Sequence, residues 1–264
     1  MDIVVMQGAA GFGAEVEGVD LNAMQCGDVE LLQEALLAHG LLVVRGQTMT
    51  PLQQIKISEL FGKLETFPPT SSQIKGLPQI FRVASQPADG HVEVGRYWHS
   101  DGSFRAKPTP ISLWYLVERP EEGGDTLFTD LQQAYRSLPI PLQKRVEGLQ
   151  TMHRNGVVHP LVMPHPHTGV DGLYLNIGLT GQIVGLGIES ASMIEVLDAH
   201  LSREAATYAH TWKVGDFLVA DNFRVAHKAT SLAPHFRRIL NRTTVQADSV
   251  FWDVHDDPTL VMLS

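Results

Sequence analysis

Apolar side chains at Leu31, Leu32, Ala35 and Leu36 recur at helical spacing, and the run Leu41-Leu42-Val43-Val44 that follows contains no polar position. The first pattern predicts an amphipathic helix over 28–39, capped by Asp28 and stopped by Gly40. The second predicts a short buried strand. Thr50-Pro51 is a cap followed by a first-turn proline, and it opens a second helix running to about residue 60. Strands follow near 79–83 and 111–116. Residues 130–149 read as helical with a break at Pro139 and Pro141, and 189–201 as a further amphipathic helix. Thr211-Trp212-Lys213-Val214 and Phe217-Leu218-Val219-Ala220 flank Gly215-Asp216, which predicts a hairpin. Helices gather at the start and middle and strands elsewhere, so the expected class is mainly β with flanking helices. No repeat, charge run or low-complexity stretch marks a linker, and residues 1–264 are expected to form one domain. Residues 66–95, rich in Pro, Gly, Ser and Gln and poor in periodicity, are a candidate active-site lid.

Composition narrows the class of partner. Apolar residues make up 44% of the 264, enough for a sizeable core, yet no run of eighteen suggests a membrane span. A net charge of −9 argues against a nucleic-acid partner, because such proteins present a basic face to phosphates. The start Met1-Asp2-Ile3-Val4-Val5-Met6-Gln7 lacks the layout of a signal peptide. The single cysteine, Cys26, cannot form an internal disulfide and is expected to be an ordinary, partly buried thiol. These features lead to the expectation of a compact enzyme in the reducing cytoplasm, with homo-oligomerisation left open.

Candidate chemistry concentrates in Tyr97-Trp98-His99-Ser100-Asp101-Gly102-Ser103-Phe104 and, far downstream, in Asp221-Asn222-Phe223-Arg224-Val225-Ala226-His227. On an extended backbone residues two apart share a face, so His99 and Asp101 can offer an imidazole and a carboxylate side by side. His227, arriving from a distant strand, would complete a two-histidine, one-carboxylate triad that leaves three adjacent positions open on a six-coordinate iron. Alone, the H-x-D triplet is weak in a chain with twelve histidines. The tail Phe236-Arg237-Arg238-Ile239-Leu240-Asn241-Arg242-Thr243-Thr244-Val245 adds weight. A strand there would put Arg238, Leu240 and Arg242 on one face, and inward arginines are costly unless anions neutralise them. The planar guanidinium fork suits a carboxylate. An outward, solvated arginine cluster is the competing reading. The eleven residues from His227 to Arg238 allow a turn and a return along the neighbouring strand.

Further motifs run in order along most of the chain. They are Phe61-Gly62-Lys63-Leu64, the Trp98–Phe104 stretch, Glu122-Gly123-Gly124-Asp125-Thr126, and His159-Pro160-Leu161-Val162 through His165-Pro166 to Thr168-Gly169. Val214-Gly215-Asp216, Asp221-Asn222 with His227, and Arg237-Arg238 with Arg242-Thr243-Thr244 complete the series. Together they resemble the taurine/2,4-dichlorophenoxyacetate dioxygenase family of Fe(II)- and 2-oxoglutarate-dependent oxygenases. The resemblance implies a double-stranded β-helix (jelly-roll) core buttressed by helices on one sheet. It implies that His99, Asp101 and His227 are the catalytic iron ligands, and that Thr126 and Arg238 bind the distal carboxylate of 2-oxoglutarate. Arg242 is placed near the co-substrate or the anionic end of the substrate. Gly102, lacking a side chain, is a candidate to bring its N–H to a substrate anion. The implied reaction consumes O2 and hydroxylates or desaturates a small, anionic organic substrate, with release of succinate and CO2. Asp101 speaks for an oxygenase outcome, because related halogenases carry Gly or Ala at that position.

Departures from the family pattern bear on substrate. Glu65-Thr66-Phe67-Pro68-Pro69-Thr70-Ser71-Ser72-Gln73 lacks the histidine that helps hold the sulfonate in taurine enzymes, so taurine is disfavoured. Ala220-Asp221-Asn222-Phe223 replaces W-D-N-R, Met163 stands where an arginine is frequent, and the segment between His153 and His159 is short. His159, His165 and His167 lie in a proline-rich run that disrupts ligand spacing, so a pocket-lining role for one of them is preferred to a second metal site. His153, His210, His235 and His255 read as surface or internally satisfied. Asn176 is a candidate to project inward, and Trp98 to pack beneath the metal-bearing strand. Two other functions share part of this pattern. A cupin-like hydrolase or isomerase using Zn(II) or Mn(II) shares the ligands but gives Arg238 and Thr126 no reason to converge. A non-catalytic binding protein would be expected to have lost a ligand, and none is lost.

Overall fold

The run Leu41-Leu42-Val43-Val44 is buried at every position, and alternate side chains enter different cores. In the computed structural model, which describes residues 1–6, 12–68, 73–92, 95–203, 207–233 and 235–253, that division organises the molecule. The first elements are β1 (Asp2–Val5), β2 (Ala14–Glu17), α1 (Cys26–His39), β3 (Leu41–Val44), α2 (Pro51–Ser58), β4 (Gly62–Leu64), β5 (Gln73–Ile74) and β6 (Leu77–Ala84). Next come β7 (Ile111–Glu118), β8 (Thr126–Asp130), α3 (Leu131–Arg136), α4 (Ile140–Val146), β9 (Gln150–His153), β10 (Val158–Pro160), β11 (Val162–Pro164), β12 (Asp171–Leu173) and β13 (Thr180–Ile183). The chain ends with α5 (Glu189–Leu201), β14 (Thr207–His210), β15 (Phe217–Asp221), β16 (Val225–Ala229) and β17 (Ile239–Val250). Strand exceeds helix, 35% against 24%, so the mainly β expectation holds.

A nine-stranded sheet runs β1-β2-β3-β15-β7-β17-β6-β5, with β4 also paired to β17. A three-stranded sheet runs β14-β8-β16. The period of two along each central strand separates the faces of the large sheet. Leu42 and Val44 of β3, Ile111, Leu113 and Tyr115 of β7, and Phe217 and Val219 of β15 pack with α1 and α2 residues such as Leu36 and Ile55. The intervening Leu41, Val43, Trp114, Leu116, Leu218 and Ala220 meet Phe128 of β8 and Val225 of β16. The two sheets therefore pack face to face. A third core gathers Trp98 with Leu131, Ala134, Leu197 and Leu201 of α3 and α5, and it seats the segment that carries His99 and Asp101.

Local signals explain most element boundaries. Thr50 caps α2 by accepting from Gln53 N–H, as the sequence predicts, and the helix tightens into a 3₁₀ turn after Ser58. Pro139 separates α3 from α4. Helix α1 starts earlier than expected: Gln25 is its cap, and Asp28 works from the third position by accepting from Gln25 N–H at 2.9 Å. Cys26, in the first turn, is exposed rather than partly buried. The hairpin expected around Gly215-Asp216 does not form. Before the turn, β14 pairs with β8 in the small sheet; after it, β15 lies between β3 and β7 in the large one. The turn itself is present, with Lys213 N–H donating to Asp216 Oδ2 at 2.8 Å, but it carries the chain from one sheet to the other. Among the described residues no helix is long and apolar enough to cross a membrane.

Candidate active site

His99 and His227 form a narrow antiparallel bridge in which each N–H donates to the other's carbonyl, at 3.1 and 2.8 Å. That bridge holds their ring centroids 4.2 Å apart. Ligand atoms of His99, Asp101 and His227 all lie within 4.8 Å of one another, close enough to share one cation. His99 Nδ1 lies 2.9 Å from the Tyr97 carbonyl, a contact that suits Nδ1–H as donor and leaves Nε2 as ligand. Asp101 is held from both sides: Ser112 Oγ donates to Oδ2 at 2.8 Å and Arg242 Nη1 to Oδ1 at 2.6 Å. Asn222 braces this arrangement, accepting from Asp101 N–H at 3.3 Å and donating to Ser112 Oγ at 2.9 Å.

Electrostatics prepare the same three groups. Burial alone pushes the Asp101 carboxyl up, but Arg242, His227, His99 and the Ser112 hydrogen bond outweigh it and hold it at about 2. Burial, with His99 nearby, brings the His227 imidazole down to about 3. Burial also lowers His99. At neutral pH the cluster is one carboxylate and two neutral imidazoles, the protonation state that metal binding requires. This donor set fits a ferrous ion.

A cavity of about 680 Å³ opens beside the triad. Thr126, Arg238, Leu240 and Arg242 all line it, so the expected convergence of Thr126 with Arg238 is present. Arg238 Nη1 donates to the Gly124 carbonyl at 2.7 Å, while its buried Nε has no partner among the described residues. A buried guanidinium that lines the same cavity as a threonine hydroxyl fits a carboxylate. The route to this arrangement differs from expectation. Strand β17 is not the neighbour of β16; it lies in the large sheet between β7 and β6, whereas β16 belongs to the small sheet. The arginines therefore reach the cavity from the sheet opposite His227. Arg242 is also not spare, because Asp101 engages it and its guanidinium lies over the Phe81 ring at 4.9 Å.

Gly102 lines the cavity, but its lack of a side chain has a local cause. Its φ is +70°, and a Cβ there would lie 2.0 Å from Thr109 Oγ1. His159, His165 and His167 are absent from the cavity lining, so the pocket role expected for one of them is not found. His159 Nε2 meets the Ser103 carbonyl at 2.7 Å, and His165 Nε2 meets Asp221 at 2.7 Å. His159 thus holds backbone, and His165 pairs with a carboxylate side chain while its Nδ1 accepts from the His167 and Thr168 N–H groups. Asn176 does reach the cavity, where Nδ2 donates to Ser103 Oγ at 2.7 Å. Trp98 is fully buried and donates to Ser202 Oγ at 2.8 Å. His210 is buried and hydrogen-bonded, and His235 is exposed, as expected. His153 departs from expectation: it is buried, its Nδ1 has no partner among the described residues, and burial, then His159, lowers it to about 4. His255 lies outside the described residues. The sequence reading missed Ser112 and Trp212. Ser112 had a signal, a lone serine inside the apolar run of β7; Trp212 had none.

Comparison with known proteins agrees with this geometry. The family model "Taurine catabolism dioxygenase TauD, TfdA family" matches residues 5–244. The chain is 30% identical to the alpha-ketoglutarate-dependent 2,4-dichlorophenoxyacetate dioxygenase of Cupriavidus pinatubonensis, over 90% of this chain and 96% of that one. It is 28% identical to the pentalenolactone F synthase of Streptomyces arenae, over 98% and 97%. The crystal structure of a taurine dioxygenase from Burkholderia xenovorans superposes with a TM-score of 0.82 at 31% identity, covering 92% of this chain and 88% of that one. The chain belongs to the TauD, TfdA family of dioxygenases.

Proposed function

We propose that this protein is a non-haem Fe(II)- and 2-oxoglutarate-dependent dioxygenase that hydroxylates or desaturates a small anionic organic molecule, releasing succinate and CO2. The observation that carries the proposal is a single cavity lined both by two neutral imidazoles and a carboxylate and by Arg238 and Thr126. A hydrolase or isomerase on the same three ligands has no use for that second group. When bound, Fe(II) and 2-oxoglutarate supply the oxidising chemistry toward O2. His99, Asp101 and His227 hold the metal, and Ser112 and Asn222 keep the carboxylate oriented. Arg238 and the Thr126 hydroxyl take the distal carboxylate of the co-substrate. Phe81, Trp114, Phe128 and Leu240 line the cavity and limit water around the reacting groups. Arg242, which lines the cavity while donating to Asp101, is proposed with the Gly102 N–H as the contact for the substrate anion. Relatives named for 2,4-dichlorophenoxyacetate and for sulfate esters support an anionic substrate.

The face-to-face sheets support a jelly-roll core within one domain spanning 1–264. The lid role is proposed for residues 66–95, of which Phe81, Val83, His91, Val92 and Gly95 line the cavity. Residues 69–72 and 93–94 of that stretch lie outside the described residues. A cytoplasmic setting is part of the proposal. Anaerobic addition of Fe(II) and then 2-oxoglutarate is expected to produce a visible charge-transfer band that disappears in Asp101→Ala. Iron-loaded protein that gives no band would refute the function. Arg238→Ala is expected to raise the 2-oxoglutarate requirement at least about a hundredfold with iron binding nearly normal, because it strands a buried carboxylate at about 3–5 kcal/mol. Lost iron binding with unchanged 2-oxoglutarate affinity would remove Arg238 from this role.

A further inference from the structure

A threonine hydroxyl helps bind a carboxylate only when its proton points at the anion. An unconstrained hydroxyl rotor has no such preference, since it carries one donor and two acceptor lone pairs. The Thr126 rotor is constrained. Trp212 Nε1–H donates to Thr126 Oγ1 at 3.0 Å, and both residues are buried at the cavity wall. Indole nitrogen is a donor only. It therefore occupies one lone pair of Oγ1 and turns the hydroxyl proton away from itself. Among the described residues no acceptor takes that proton, which leaves it for a group in the cavity.

The indole is itself held from behind. His210 lies opposite Thr126 in the β14–β8 ladder, and its ring meets Trp212 edge-on at 4.5 Å. His210 Nε2 lies 3.0 Å from Asp216 Oδ2, and the Tyr208 hydroxyl lies 3.0 Å from its Nδ1. Asp216 Oδ2 also accepts from Arg45 Nη1 at 2.7 Å. A run of hydrogen-bonded and packed groups from Arg45 through Asp216 and His210 thus ends on the indole that faces Thr126.

We propose that Trp212 is a positioning residue for the co-substrate: its N–H presets the Thr126 hydroxyl as a donor toward the distal carboxylate of 2-oxoglutarate, beside Arg238. This rests on the proposed dioxygenase reading, and the test separates the two. Calorimetric titration of 2-oxoglutarate into the Mn(II)-loaded full chain reads binding without turnover. Trp212→Phe, which keeps an aromatic ring but removes the N–H, is expected to weaken binding about tenfold. Thr126→Val is expected to weaken it at least as much, and Thr126→Ser to retain it. The double variant Trp212→Phe/Thr126→Val should bind no more weakly than Thr126→Val alone, since the N–H acts through the hydroxyl. In steady-state assays of Trp212→Phe, KM for 2-oxoglutarate should rise by a larger factor than kcat falls. Should Trp212→Phe fail to fold, β-(3-benzothienyl)alanine at position 212 removes the N–H at nearly constant shape. Wild-type binding by the N–H-deficient protein alongside weak binding by Thr126→Val would overturn the role of Trp212 while leaving the co-substrate site intact. Losses that multiply in the double variant would also overturn it. Unchanged binding in both Thr126→Val and Arg238→Ala would overturn the co-substrate site itself.

Discussion

Ser112 shows how little of a site its ligands carry by themselves. Its hydroxyl is the hydrogen-bond donor to one oxygen of Asp101, while Arg242 donates to the other. Ser112→Ala leaves Asp101 Oδ2 and Asn222 Nδ2 without this partner, and groups that orient a metal ligand typically govern 10–100-fold in affinity. Anaerobic Fe(II) titration of Ser112→Ala is therefore expected to show about a 10–100-fold weaker site. Wild-type affinity would mean that Arg242 alone orients the carboxylate. The cluster of His99, Asp101 and His227 was legible in the sequence as a candidate metal site because imidazole and carboxylate can ligate iron, and two of them lie two residues apart. The role of Arg242 was only half legible. Its inward face followed from spacing with Arg238 and Leu240, but its pairing with Asp101 depends on how far β17 lies from a segment 141 positions away.

At the scale of elements, Gly62 in the Phe61-Gly62-Lys63-Leu64 motif marks where β4 presses on β17. Its φ is +137°, and a Cβ would lie 2.2 Å from the Ser249 carbonyl oxygen and 2.7 Å from Val245 Cγ1. Backbone cannot yield as a flexible side chain can. Gly62→Ala is expected to cost about 1–3 kcal/mol in urea unfolding, with Fe(II) affinity of the folded protein unchanged. A stability equal to wild type would show that β4 can lift from β17. Elements with a strong local signal were legible: β3 from its unbroken apolar run, α2 from Thr50-Pro51, and α5 from its periodicity. The hairpin at Gly215-Asp216 was misread because a turn motif specifies a reversal of the backbone and says nothing of which sheet receives the outgoing strand. Phe217 and Val219 on one face and Leu218 and Ala220 on the other suit a position covered on both sides, which the large sheet provides.

For the whole molecule, buried neutral imidazoles set the response to acid. Burial, with His99 nearby, holds His227 at about 3, and burial, with His159, holds His153 at about 4. Burial likewise lowers His99, His200 and His210. The unfolded chain binds protons near the ordinary value of about 6.5 while the folded chain does not, so metal-free stability falls as pH drops from about 6.5 toward about 3. Each imidazole that titrates only in the unfolded state contributes a slope of about 1.4 kcal/mol per pH unit in that window. Asp101, depressed to about 2, adds further loss only below about pH 4, where the unfolded carboxyl takes up its proton. Urea midpoints of the metal-free protein should fall between about pH 7 and about pH 5. A flat or rising midpoint would contradict this account. The amino-acid order by itself determined the mainly β class, the Gly40 and Thr50 caps, the candidate ligands and the inward face of Arg238, Leu240 and Arg242, because each follows from local spacing and side-chain chemistry. Only the tertiary structure decided that His227 and the arginines reach one cavity from opposing sheets, that Ser112 and Arg242 share Asp101, and that Trp212 finds Thr126. Those outcomes are distances between remote segments, and remote distances are set by how the sheets pack.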